Sequence, residues 1–471
     1  MTPDEFREFG HLLIDWIADY RCGLSKRRVK ADTTPGEIKA QLPDTPPEEP
    51  EGFQAILRDF ERTIVPGLSH WQHPSFFAYF PSNAGLSSVL GDYLSTGLGV
   101  LGITWEASPA LTELEEVVVD WMRQMVGLSD AWTGVIQDTA STSTLVALLC
   151  ARERTTSYSL VRGGLQTEES PLVVYTSAHA HSSVSKAALL AGFGRNNVRT
   201  VPADAAYAMC PEALGSEIER DIAEAKKPCA VVATTGTTTT TALDPVRAVA
   251  RLAHQHGLWL HLDAAMAGSA MILPECRWMW EGVEAADSLV INPHKWLGAV
   301  FDCSLYYVRD AEHLIRVMST NPSYLQSAAD GRAKNLRDWG IPLGRRFRAL
   351  KLWCLVRSEG VAGLRARLRR DLDNAQWLAA QVRSTPFWRL LAPVPLQTVC
   401  VRHEPPGLAE EALDRHTLSW AERINRSGKA YLTPAVLDGR WMIRISIGAE
   451  PSQFEHVEGV WELIRQEAER A

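Results

Sequence analysis

No stretch of this chain approaches the roughly 18 uninterrupted apolar residues that a membrane-spanning helix requires. Its first residues, Met1-Thr-Pro-Asp-Glu-Phe-Arg, carry acids where a secretory leader needs a basic region and an apolar run. Basic charge is short as well: 48 Lys and Arg stand against 56 Asp and Glu, a net charge of −8. That balance lacks the footprint of a DNA- or RNA-binding surface. The eight cysteines (Cys22, Cys150, Cys210, Cys229, Cys276, Cys303, Cys354 and Cys400) form no CxxC pair and no Cys/His cluster at zinc spacing. This excludes a disulfide scaffold and a structural zinc site and suggests reduced thiols. The expectation is a cytoplasmic enzyme acting on a small molecule, with no metal, no nucleic acid and no membrane partner.

What is present is ordinary globular composition: 46% hydrophobic and 22% charged residues in a chain of 471. Such a length suggests two or three packing units. Tryptophan is the unusual entry, with 16 residues against 12 Phe and 10 Tyr. Apolar residues at helical spacing predict an amphipathic helix over 6–20, followed by the proline-rich stretch QLPDTPPEEPE (41–51) and a second helix over 53–64. This 1–85 segment buries little by itself and is expected to clasp the main domain or a second copy of the chain. From 86 to 355 short apolar runs alternate with helical stretches. Candidate buried strands are 172–176, 230–234, 258–263, 288–292 and 303–308, with helices over 143–154, 183–191 and 246–256. Thr112-Glu-Leu-Glu reads as a capping box opening a helix over 114–126. Alternation of this kind predicts an α/β domain with a mainly parallel sheet. The remainder, 356–471, mixes charged helices with strands near 396–402 and 441–447, an α+β small domain.

Three features of the middle domain carry chemistry. Lys295, in LVINPHKWLG (289–298), follows the end of a buried-looking strand. A lone strand-end lysine most often reaches to solvent, whereas a desolvated one has a depressed pKa and can form a Schiff base. Asp263 ends the apolar strand LWLHLD, at the carboxyl edge where open α/β sheets bind ligands, although it could equally cap a helix. The segment GVIQDTASTS (134–143) runs from a short strand into a helix, and small residues there expose N–H groups to a phosphate. A lysine, a carboxylate and a phosphate cradle on one sheet match the needs of pyridoxal 5′-phosphate.

Several motifs in order make the resemblance specific: HWQHPSFFAYFPS (70–82), SPALTELE (108–115), AHSSVSKA (180–187), LHLDAAMAGSA (260–270), NPHKWL (292–297), DWGIPLGRRFRALK (338–351) and IRISIG (443–448). The chain resembles the pyridoxal-phosphate-dependent group II amino acid decarboxylases, in particular the aromatic-L-amino-acid decarboxylases, over nearly its whole length. The resemblance implies the aspartate-aminotransferase-like fold (fold type I) and a homodimer with its active site at the interface. It implies that Lys295 is the Schiff-base lysine, that Asp263 holds the pyridine nitrogen protonated, and that His181 stacks on the cofactor ring. Ala140, Ser141, Asn292 and His294 match the phosphate pocket, Thr237 a contact near the ring, and Ala265 a ring-face contact. Trp71, Tyr79, Phe80, Pro81, Ser82 and Trp105 match the aromatic wall for the substrate; ordinary packing is an equally good account of any one of these rings.

One position departs. The family has a proton-donating tyrosine on a mobile loop just before DWGIPLGRRFR, and ungapped alignment from Trp339 places Leu336 there. Tyr324 is the nearest tyrosine and falls at a different family position, in a Ser-, Ala-, Gly- and Lys-rich segment (322–337) that reads as a flexible lid. The leading expectation is decarboxylation of an aromatic L-amino acid (Trp, Phe, Tyr or DOPA) to its amine and carbon dioxide, with His181, water or Lys295 giving the proton. The alternative is decarboxylation coupled to oxidative deamination, releasing aldehyde, ammonia and peroxide. A catalytically weak scaffold is the remaining reading, disfavoured by the intact lysine and aspartate.

Overall fold

The computed structural model describes residues 1–320 and 331–470. It contains two compact units, one of residues 82–372 with 392–396, the other of residues 1–81, 373–391 and 397–471. Among the described residues, no helix is long and apolar enough to cross a membrane.

The larger unit is built on a seven-stranded sheet: β1 (Thr133–Gln137), β2 (Leu172–Ser177), β3 (Val198–Val201), β4 (Lys227–Thr234), β5 (Trp259–Asp263), β6 (Ser288–Ile291) and β7 (Ser304–Val308). Its spatial order is β1-β7-β6-β5-β4-β2-β3. The pairs from β3 through β6 are parallel, and only β7 runs against its neighbours β6 and β1. Parallel strands need helical crossovers, so both faces are covered and the strands read as unbroken apolar runs. All six residues of β2 and all five of β5 are buried. The crossover helices include Ala140–Thr155, Ser182–Leu190 and Val246–His256, each within a few residues of its sequence expectation.

The helix expected from residue 114 instead begins at Pro109. Proline at the first helical position needs no N–H partner and presets φ, so Ser108-Pro109 opens the helix earlier than the capping-box pattern suggests. Thr112 lies inside the helix, its hydroxyl donating to the Ser108 carbonyl (3.2 Å). Glu115 is fully buried and accepts from the Ile136 N–H and from Arg345, both at 2.9 Å. The presumed cap partner instead pins β1.

In the smaller unit four antiparallel strands, β8 (Trp388–Leu390), β9 (Thr398–His403), β10 (Thr433–Leu437) and β11 (Arg440–Ser446), lie in the order β10-β11-β9-β8. The N-terminal helix spans Pro3–Cys22 and carries a true capping box between Thr2 and Glu5. The helix expected over 53–64 is α-helical only to Asp59, then widens into a looser turn over Phe60–Ile64 before Pro66. Part of the tryptophan excess is core: Trp388 contacts Trp420 and Trp461, with centroids 5.8 and 5.0 Å away.

Candidate active site

The carboxyl ends of β4, β5 and β6 bring the chemistry together. Asp263 ends β5 directly opposite Thr234 of β4 and Val290 of β6. Its side chain is buried, and one oxygen accepts the Ala265 N–H at 3.0 Å. Past the end of β6 the chain makes a wide turn, Pro293–Leu297, that carries Lys295. Burial pushes the Lys295 ammonium below its ordinary pKa, while the Asp263 carboxylate opposes the shift. Trp296 beside it is fully buried, its indole donating to Asp371 at 2.9 Å, so this tryptophan anchors the turn.

His181 caps the helix Ser182–Leu190. Its Nδ1 accepts the Ser183 N–H at 3.2 Å and lies 2.7 Å from the Ser183 hydroxyl. With Nδ1 accepting, the proton of the neutral ring sits on Nε2. Burial lowers the pKa of His181; Asp263 pulls it back up and Lys295 lowers it further. Three groups from three segments therefore share one electrostatic neighbourhood. The capping role and the site role of His181 coexist, because each uses a different part of the ring.

The expected phosphate residues follow strands of this sheet, Ala140 and Ser141 after β1 and Asn292 and His294 after β6. Ala140, Ala265 and Val290 pack together in one buried cluster. Ala140 opens its helix without a side-chain cap on Thr139, and Ser141 beside it is exposed. The first N–H groups of a helix have no intrahelical partner, so they face outward as anion donors. Asn292 is buried, and its Oδ1 has no hydrogen-bond partner among the described residues. His294 is buried with its Nδ1 taken by the Cys303 N–H (2.9 Å). Burial, and next the Lys295 charge, hold it down at about 4, which leaves a neutral ring offering Nε2–H. Thr237 is fully buried and its hydroxyl accepts the Ala242 N–H at 3.0 Å, closing its own loop.

The expected substrate wall divides between the units. In the smaller one, Trp71 stacks on Phe76 and Tyr79, and the Tyr79 hydroxyl meets that of Tyr431 at 3.1 Å. Phe80 lies 5.0 Å from the Arg444 guanidinium, and Pro81 is buried. In the larger one, the Ser82 hydroxyl donates to the His294 carbonyl (3.4 Å), and the Trp105 indole donates to Glu113 (2.8 Å). Leu336 is buried at the start of the tight turn Leu336–Trp339. The flanking Asn335 accepts the Trp105 N–H, and the Arg337 N–H donates to the Ile103 carbonyl, both at 3.0 Å. Tyr324 lies outside the described residues.

Sequence reasoning passed over the residues that hold this centre in place. Asn83 donates to the Lys295 carbonyl at 3.1 Å, Ser183 fixes the tautomer of His181, and Asp244 receives the Thr234 N–H at 2.7 Å. The signal for Asp244 was available: an acid immediately before Pro245, closing the threonine run.

Residues 35–404 match the family model described as the pyridoxal-dependent decarboxylase conserved domain. The chain is 38% identical to phenylacetaldehyde synthase of Arabidopsis thaliana (99% of this chain, 96% of that one). It is 40% identical to aromatic-L-amino-acid decarboxylase of Bos taurus (99% and 97%). Its fold superposes on the crystal structure of Catharanthus roseus tryptophan decarboxylase in complex with L-tryptophan with a TM-score of 0.93, at 35% identity, covering 100% of this chain and 99% of that one. The chain belongs to the pyridoxal-dependent decarboxylases. It is a carboxy-lyase whose cofactor is pyridoxal 5′-phosphate.

Proposed function

We propose that this decarboxylase takes an aromatic L-amino acid and releases the arylalkylamine and carbon dioxide, with Lys295, Asp263 and His181 as its catalytic residues. The observation that carries this reading is the placement of Asp263 at the end of β5, Lys295 in the turn after β6 and His181 at the helix after β2, with Asp263 and Lys295 both acting on His181. Pyridoxal phosphate, when bound, supplies an electron sink for the pair left behind as carbon dioxide departs. The residues present suit it. Asp263 has a carboxylate oxygen to set against the pyridine nitrogen, and the N–H groups at Ala140 and Ser141, with the side-chain amide N–H of Asn292 and the Nε2–H of His294, suit its phosphate. Thr237 and Ala265 complete the cofactor contacts. A lysine with a depressed pKa keeps a larger neutral fraction, which is the form that attacks a carbonyl. His181, its proton held on Nε2 by Ser183, can stack on the ring and hold a proton for transfer to Cα. Trp71, Tyr79, Phe80, Pro81, Ser82 and Trp105 are proposed as the wall for the substrate ring.

A second reading rests on Leu336, a side chain with no proton to give at the family's tyrosine position. Without prompt protonation of Cα, molecular oxygen and water can intercept the reaction, and the amino acid leaves as aldehyde, ammonia, carbon dioxide and hydrogen peroxide. The similarity to phenylacetaldehyde synthase supports this alternative, and the aromatic decarboxylases support the first. Incubating the holoenzyme with Phe, Tyr, Trp and DOPA and quantifying amine, aldehyde and peroxide together separates them. Amine without peroxide is the expected outcome; stoichiometric peroxide and aldehyde would replace it by the second reading.

A homodimer is proposed as the working unit. The helix Leu86–Leu98 exposes Leu86, Leu90, Leu94 and Leu98 at four-residue intervals, an apolar stripe suited to a second copy of the chain. The N-terminal helix Pro3–Cys22 has no buried residue, which supports its proposed role as a clasp. A cytoplasmic, reducing location is proposed on the eight cysteines, none of which is in a disulfide.

A further inference from the structure

Asp244 is a buried carboxyl group that the chemistry above does not use. Its two oxygens accept the Met209 N–H and the Thr234 N–H, each at 2.7 Å, and no cation partners it among the described residues. It joins three segments. Its own N–H returns to the Thr234 carbonyl (3.0 Å), closing the loop 235–243 that carries Thr237. Met209 belongs to the 203–209 turn, bridged at Ala203. Thr234 is the β4 residue directly opposite Asp263, and the next N–H, that of Thr235, donates to the Asp263 carbonyl at 2.9 Å. The carboxylate thus grips the backbone one residue away from the bond that ties β4 to Asp263.

We propose that Asp244 is a positioning residue for Asp263 and Thr237, and that its protonation state sets how firmly the site retains pyridoxal phosphate near neutral pH. The inference rests on the assignment of those two residues to the cofactor site. When the carboxylate is ionised, both oxygens accept and the loop is closed on both sides. Adding a proton makes one oxygen a hydroxyl, a weaker acceptor whose O–H must also be placed in a buried site, so the bond from Thr234 or Met209 weakens. Burial raises the Asp244 pKa to about 7, the two N–H donors oppose that shift, and the negative charge of Asp204 adds to it. Asp204 is the charged group acting from the 203–209 turn, and β4 presents the Thr234 N–H to the carboxylate. Cofactor release is therefore expected to speed up as pH falls through the titration of Asp244.

The test measures the rate at which visible cofactor absorbance is lost from the holoenzyme during dialysis between pH 6 and 8. Asp244→Asn, which can accept only one of the two N–H groups, is expected to fold and to release cofactor on the order of tenfold faster than wild type at pH 8. Its release is also expected to lose the wild-type rise toward pH 6. Asp204→Asn keeps an acceptor for the Ala206 and Ala208 N–H groups that Asp204 now caps at 2.8 and 3.0 Å. It is exposed, and it should move the midpoint of the wild-type profile to lower pH. Identical release profiles for wild type and Asp244→Asn, or an unmoved midpoint in Asp204→Asn, would overturn the proposal. A wild-type chain that carries no cofactor absorbance would overturn the cofactor-site assignment and the proposal with it.

Discussion

Leu336 concentrates the question of product in a single side chain. It is buried to 1% exposure, so the residue aligned with a family proton donor is a packed anchor in this chain. That has two consequences for Leu336→Tyr. If the position governs protonation, the variant should raise the amine-to-aldehyde ratio wherever aldehyde is formed, measured as products per turnover. Forcing a larger ring into a filled site should also cost about 1–3 kcal/mol, read as a lowered melting temperature. At this scale the sequence was informative about placement: Asp263 and Lys295 both act electrostatically on His181, and their catalytic roles remain the proposal above. It was uninformative about partners. Nothing in AHSSVSKA states that Ser183 fixes the His181 proton on Nε2, since that depends on a cap formed only when the helix forms.

Elements were legible in proportion to how fully they are buried. The central strands β2, β4, β5 and β6 announce themselves as apolar runs because helices cover both faces. β3, with one buried residue in four, and the three-residue β8 leave no such trace. Their edge positions relieve them of two-sided burial, so their sequences are free to be polar. The start of the Pro109–Val126 helix was misplaced because two start signals compete, and the proline governs the outcome. One buried ion network holds an edge of the sheet to its helices. Asp221, on the helix Pro211–Ala223, accepts from Tyr175 of β2 and Arg199 of β3, both at 2.9 Å, and from Lys226 at 3.2 Å. Burial pushes its pKa up, but the bonds from Arg199, Tyr175 and Lys226 outweigh that and leave it below the ordinary carboxylate value. A depressed carboxylate stabilises the fold above its unfolded pKa and loses that contribution as pH falls through the folded one. Asp221→Ala should therefore lower stability by about 3 kcal/mol at neutral pH. Its acid-unfolding curve should approach that of wild type as pH falls through the depressed Asp221 titration, by circular dichroism.

At the scale of the molecule, the proposed homodimer rests on a 20-residue helix with nothing buried and on an exposed leucine stripe. The sequence suggested that the first 85 residues cannot form a unit by themselves; residues 1–81 group in one compact unit with 373–391 and 397–471. That long-range grouping is invisible to periodicity, which sees neighbours in sequence only. Replacing Leu90 and Leu94 together by Arg should give a folded monomer by light scattering, with the melting temperature of the larger unit little changed, because both side chains are already exposed. The tryptophan excess also resolves at this scale: Trp296, Trp259, Trp388 and Trp420 are buried anchors, and Trp71 and Trp105 remain the candidates for contact with substrate.

Lys295, Asp263 and His181 are proposed to form one centre performing one reaction. Release of labelled carbon dioxide from carboxyl-labelled phenylalanine or tryptophan, by wild type and by Lys295→Ala reconstituted with pyridoxal phosphate, tests it most directly. The expected result is steady release by the wild type and loss of at least about three orders of magnitude in the variant, the scale of a removed covalent-catalysis residue. Undiminished release by Lys295→Ala, or none by a wild-type protein that carries its cofactor, would contradict the account.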